Sequence, residues 1–243
     1  MSKHIVYVTE SKLFETVPGL PIAYWISDSI RGAYQSGKAL GELAAPRKGN
    51  STSDNNRFLR LWHEVENNHM NIGAIGIDIE DSCVKRWYPY NKGGGYRKWY
   101  GNNEYLIDWY NDAEEIRKIK TAVIANYQYF THPGLTWSTV STVNFSIRWF
   151  DEGFIFDNGG CCIFDLGDKR KYIIALLNSN VFKYIFGQMN PTMNFQSGDV
   201  AKFPVVIAPQ KDIDSLALSN VALAKDDWDS FETSWDFKKH PLI

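Results

Sequence analysis

The chain has 243 residues with 44% hydrophobic and 22% charged side chains and a formal net charge of −2, an ordinary balance for a globular protein with one substantial core or two small ones. No apolar run approaches the roughly 20 residues that cross a membrane, and MSKHIVYVTE has no secretory pattern, so a cytoplasmic protein with no membrane partner is expected. Cys83, Cys161 and Cys162 are too few and wrongly spaced for a disulfide framework or a zinc site.

In chain order, IAYWI (Ile22 to Ile26) reads as a short buried strand, and Ser27 as the cap of a helix closed by Gly37 or Gly41. RKGNSTSDNN, from Arg47 to Asn56, is polar and turn-forming and is expected as an exposed loop. Weak alternation predicts strands over Asn71 to Ile79 and Glu104 to Trp109, then a helix from Asn111 or Asp112 to about Lys120. Short strands follow at Asn144 to Phe150, Phe154 to Asp157 and Cys161 to Phe164, with a turn at Gly159 and Gly160. Ile173, Leu177, Val181 and Ile185 recur every four residues and predict one helix with a broad buried face, ended by Asn190 and Pro191. A strand around Phe203 to Ile207 and a helix from Asp212 to about Ala224 complete an α+β chain of mixed or antiparallel sheets with packed helices.

Several catalytic patterns fail on their chemistry. GAYQSGKA (Gly32 to Ala39) nearly matches a phosphate-binding loop, but Ala39 stands where a hydroxyl should reach magnesium; a small nucleotide-binding enzyme around Gly37 and Lys38 is kept as an alternative. His63 and His69 are six apart, which puts them on different faces of a helix, so no zinc pair forms. Asp236 and Lys238 lack the upstream Pro-Asp of a nuclease metal site. Asn190-Pro191-Thr192-Met193 resembles the tetrad with which amino-methyltransferases hold their target, but it lacks the second proline and the stacking aromatic. No catalytic residue, metal or cofactor is therefore expected in this chain.

The most distinctive stretch is VKRWYPYNKGGGYRKWYGN, from Val84 to Asn102, with five cations, six aromatics, three consecutive glycines and no acid. Cations along a loop neutralise phosphates, and glycines permit close backbone approach or positive φ. Tyr90 and Tyr96 offer stacking faces, and Lys92, Arg97 and Lys98 reach phosphates or guanine edges. Equally, Trp87, Tyr96 and Trp99 can be core anchors beneath a solvated loop. The acids Asp226, Asp227, Asp229, Glu232 and Asp236 crowd the opposite end of the chain.

Four blocks resemble the target-recognition region of PglX-type adenine-specific DNA methyltransferases of BREX phage-defence systems, and the related regions of type IIG restriction-modification enzymes. They are PGLPIAYWIS from Pro18, STSDNNRFLRLWHEV from Ser51, RWYPYNKGGGYRKWYGN from Arg86 and LLNSNVFKYIFGQMNPTMNFQSGDVAKFPV from Leu176, with SWDFKKHPL near the end. The resemblance covers nearly the whole chain. Ser53 departs from it, standing where the family's loop has glycine. The resemblance implies a non-catalytic specificity domain over residues 1–243, a fragment of a larger enzyme whose N-terminal domain binds S-adenosylmethionine and methylates adenine.

On this reading the partners are double-stranded DNA, that methyltransferase domain and other defence subunits. Asn55, Asn56 and Arg57 form a second candidate DNA-binding loop, and Thr136 and Ser138 a third. Asn190, Thr192, Asn194 and Gln196 carry the right groups for phosphates or adenine edges, and equally for a helix cap and a turn. The alternative of another class is a protein–protein docking module of a defence complex.

Overall fold

The computed structural model describes residues 27–207, 211–240 and 242–243, so the strand expected at 22–26 lies outside the described residues. Helix α1 (Asp28–Ser36) ends at Gly37 as expected, but Ser27 starts it through its backbone carbonyl, with no side-chain cap. Strand β1 (Lys38–Ala39), the single turn α2 (Leu40–Leu43) and strand β2 (Ala45–Arg47) follow. The stretch from Arg47 to Asn56 is only partly the expected exposed loop. Asn50 and Thr52 are buried there, the Asn50 carbonyl and side chain taking the backbone N–H groups of Asn158 and Ala125. Asp54 then caps α3 (Asn55–Phe58), accepting from the Arg57 N–H at 3.2 Å, and β3 (Leu59–Leu61) continues from it.

No strand forms over Asn71 to Ile79. Gly73 and Gly76 take φ of +74° and +82°, which breaks the alternation, and Asp78 caps α4 (Ile79–Val84) instead. The aromatic stretch becomes β4 (Trp87–Asn91), pairing with β5 (Tyr105–Asp108), which lies where a strand was expected. In α5 (Tyr110–Arg117), Asn111, Asp112 and Ala113 have φ between +48° and +60°, one left-handed turn in place of a regular helix start.

Strands β6 (Gly134–Trp137), β7 (Ile147–Phe150), β8 (Ile155–Phe156) and β9 (Cys162–Phe164) fill the middle of the chain; β6 has no counterpart in the sequence reading. The long helix expected around Ile173–Ile185 is two helices, α6 (Arg170–Leu177) and α7 (Asn180–Met189). Asn178 closes α6 with its N–H on the Ile174 carbonyl, and its side chain holds the β7 backbone, accepting from the Ile147 N–H at 3.1 Å and donating to its carbonyl at 3.0 Å. Ser179 restarts the helix, its hydroxyl accepting from the Phe182 N–H. The break rotates Val181 out of the buried face, to 60% exposure. Helix α8 (Ser197–Ala201), strand β10 (Pro204–Val205) and α9 (Lys211–Asp229) end the fold; α9 extends beyond the expected Ala224.

The fold class is α+β. One antiparallel sheet has the order β2-β9-β6-β7, a second the order β3-β5-β4-β8 with β4 and β8 parallel, and β1 pairs with β10. The period-2 alternation of strands sorts side chains into two cores. Leu135, Trp137, Ile147 and Ile163 face α6 and α7, while Phe150, Cys162 and Phe164 meet Tyr88, Tyr90, Ile107 and Ile155 of the second sheet. The first sheet is therefore covered on both faces, which leaves function to its loops.

Candidate nucleic-acid interface

Strand β4 is central in the second sheet, so the segment that follows it leaves from a fixed point. Lys92 Nζ donates to Asp157 at 2.9 Å, and the same carboxylate accepts from the buried Tyr90 hydroxyl at 2.8 Å. Burial, then the nearby carboxylate, raises the Tyr90 phenol well above its ordinary range. Gly93 and Gly94 turn the chain at φ of +99° and +112°, and a Cβ on Gly93 would lie 2.6 Å from the Gly159 carbonyl. Ser138 Oγ donates to the Gly94 carbonyl and Asn102 Nδ2 to that of Gly95, both at 2.8 Å. Arg97 pairs with Asp227 of α9 at 2.9 Å, its guanidinium lying 5.0 Å from the centre of the Trp228 ring. The basic run is thus pinned to several distant segments.

The sequence-derived candidates separate accordingly. Tyr90 is wholly buried and Thr136 is 2% exposed with its hydroxyl donating to the Cys161 carbonyl, so neither reaches a surface. These two are corrected from contact residues to core residues. Ser138 is buried beneath the glycine turn, and Lys92 and Arg97 are held by carboxylates. Asn55, Asn56 and Lys92 line one shallow cleft, while Arg57 turns to Glu115 at 2.6 Å. Of the six aromatics between Val84 and Asn102, Tyr96 is the exposed one.

A second cleft, of about 410 Å³, joins residues that the sequence separates widely. Tyr96 and Lys98 come from the glycine segment, Asn144 from the turn before β7, Lys183 from α7, and Asn190 and Thr192 from the loop after it. Lys98 Nζ donates to the Asn178 carbonyl at 2.7 Å and has no acidic partner among the described residues. Burial, then the charge of Lys183, lowers its pKa from the usual lysine value. None of the residues lining this cleft is acidic. Along its rim Asn190 organises the loop: its Nδ2 donates to the Asn194 carbonyl at 2.8 Å, and its Oδ1 accepts from the Thr192 N–H and hydroxyl. Gln196 donates to the Asn194 side chain. Asn190 therefore shapes the loop, and Thr192, Asn194 and Gln196 remain at the surface.

Lys183 and Asn144 were not singled out from the sequence. Lys183 was hidden by reading α6 and α7 as one helix; the Asn178-Ser179 pair was the available signal, since Ser is a common helix start. Arg148 was also missed. It is 1% exposed on β7, with Nε and Nη1 lacking partners among the described residues, and burial lowers its pKa to about 10.

The alternative site around Gly37 and Lys38 is not a phosphate cradle. Residues from Gly32 to Ser36 lie within α1, and Gly37 packs its Cα against the α1 and β10 backbone, so no loop of free N–H groups forms. Among the described residues no three His, Cys, Asp or Glu side chains converge as metal ligands, and no helix is long and apolar enough to cross a membrane.

No family model matches the chain. It is 39% identical over 234 residues to the adenine-specific methyltransferase BrxX of Escherichia coli O9:H4 (strain HS), covering 95% of this chain and 18% of that protein. It is 36% identical over 247 residues to the adenine-specific methyltransferase PglX of Lacticaseibacillus casei (strain Zhang), covering 98% of this chain and 20% of that one. The chain spans about a fifth of the length of these curated relatives.

Proposed function

We propose that this chain is the DNA target-recognition part of an adenine-specific DNA methyltransferase of the BREX type, holding duplex DNA while a separate domain binds S-adenosylmethionine and methylates the base. The observation that carries the reading is the likeness, along nearly the whole chain, to a fifth of two adenine-specific methyltransferases. The cleft with two lysines and no acid supports it, since an anion is the group such a lining favours.

The contact surface then centres on Lys98 and Lys183, flanked by Tyr96, Thr192, Asn194 and Gln196. Asn55, Asn56 and Lys92 form a second, weaker candidate because Glu64 shares their cleft. Lys and exposed amides are suited to phosphate positioning and to adenine edges respectively. Duplex binding followed by fluorescence anisotropy tests the reading. Affinity that falls steeply between about 50 and 200 mM salt is expected of phosphate contacts. A salt-independent interaction, or none, places the chain instead among protein-docking modules.

A further inference from the structure

We propose that the cleft between α7 and the glycine segment seats one unstacked nucleotide of a DNA strand, its phosphate at Lys98 and Lys183 and its base against Tyr96 and Met193. This deepens the DNA reading above and rests on it.

The lining is amphipathic. Lys98 and Lys183 both line the cleft without a carboxylate, and their mutual repulsion is relieved when an anion enters. The lining mixes polar side chains such as Asn144, Asn180 and Thr192 with apolar ones, of which Phe145 and Phe186 are buried and Tyr96 and Met193 exposed. A backbone phosphate bound at the lysines would leave Tyr96 and Met193 in water. The volume of about 410 Å³ lies within the range of roughly 300–1,000 Å³ typical of small-molecule sites, far more than a phosphate group fills.

A flat apolar body joined to a phosphate matches both kinds of group. Tyr96 is 43% exposed and Met193 59%, so a stacking face and a polarisable edge are open to a base. Asn144 is half-buried, and its side chain makes no hydrogen bond among the described residues, which leaves its amide for a base edge. Gly187 lines the cleft as an exposed position of α7, where a Cβ meets nothing within 4 Å.

The test compares two duplexes that differ by a single unpaired 2-aminopurine, titrated with the whole chain and followed by anisotropy and by the base's fluorescence. Because the unpaired base has already lost most of its stacking, it is expected to bind roughly tenfold more tightly than the paired control. At position 187 a Cβ finds open space and Gly187→Leu replaces an exposed helical glycine, so it should melt no lower than the wild type. It is expected to abolish the preference while retaining binding to the paired duplex. Lys183→Ala should weaken binding to both duplexes.

Equal wild-type affinity for the two duplexes, or a preference that survives in Gly187→Leu, overturns this inference and leaves the DNA reading standing. Failure to bind either duplex overturns both. Free adenosine monophosphate that displaces neither duplex supports a strand-bound nucleotide; binding of the monophosphate without any binding of DNA overturns it.

Discussion

Asp157 shows why charge in a sequence is a poor guide to charge on a surface. Its carboxylate accepts from Tyr90, from Lys92 and from the Gly159 N–H, and it is 5% exposed. Lys92 lies 65 residues away and Arg97 lies 130 from Asp227, so neither pairing shows in a local reading. Tyr90→Phe should cost about 1.5–3 kcal/mol at neutral pH, as for a hydrogen bond to a charged group, measured by urea unfolding. The raised Tyr90 phenol also fixes a pH dependence. In the unfolded chain it ionises near about 10, whereas in the fold it stays protonated, so this contribution is present below that pH and is lost as pH climbs above it. The decline should be shallower in Tyr90→Phe; an identical alkaline profile would contradict it. Ser53 does adopt the left-handed conformation, φ +58°, that glycine takes at low cost. Ser53→Gly should therefore change stability by between zero and about +1 kcal/mol, relief of strain being offset by glycine's greater freedom when unfolded.

Elements were legible where local pattern and tertiary demand agreed. Helix α1, strand β5 and the strand–turn–strand around Gly159 and Gly160 follow their apolar spacing and turn residues. The failures have two causes: the strand expected over Asn71 to Ile79 is broken locally by Gly73 and Gly76 at positive φ, and elsewhere a distant contact overrides the pattern. Asn178 breaks the α6–α7 periodicity because it serves β7, and Asn178→Ala should cost roughly 1–3 kcal/mol by leaving the buried Ile147 N–H without its partner. The three glycines are read together in the sequence, as permitting close backbone approach or positive φ, but they differ in the fold. Gly93→Ala should lose at least about 1–2 kcal/mol from positive φ and the Gly159 carbonyl, while Gly95, with open space and ordinary φ, should tolerate alanine within about 0.5 kcal/mol. Thermal melts of the two variants check this contrast, and equal shifts would refute it.

Across the molecule, the uneven charge of the sequence largely cancels in space. The acidic C-terminal stretch meets the basic segment through Arg97 and Asp227, and Lys225 pairs with Asp229 and Asp236 beside Tyr100. The acid-free cleft offers an anionic partner two lysines without a carboxylate, assembled from Tyr96 and Lys98, Asn144, and residues of α7 and the loop after it. No local pattern could reveal that assembly, because the three-dimensional path of two sheets and a broken helix creates it. Replacing Lys92, Arg97 and Lys98 together would therefore confound binding with the loss of two structural ion pairs. The most direct measurement is the salt dependence of duplex binding by Lys98→Ala/Lys183→Ala against the wild type, with Arg57→Ala as a surface-cation control. A folded double variant with weaker binding and a logarithmic salt slope shallower by about 1–2 is expected, the control leaving the slope unchanged within error. An unchanged slope in the double variant, with the loss appearing in Arg57→Ala, would move the DNA away from the cleft and contradict the account.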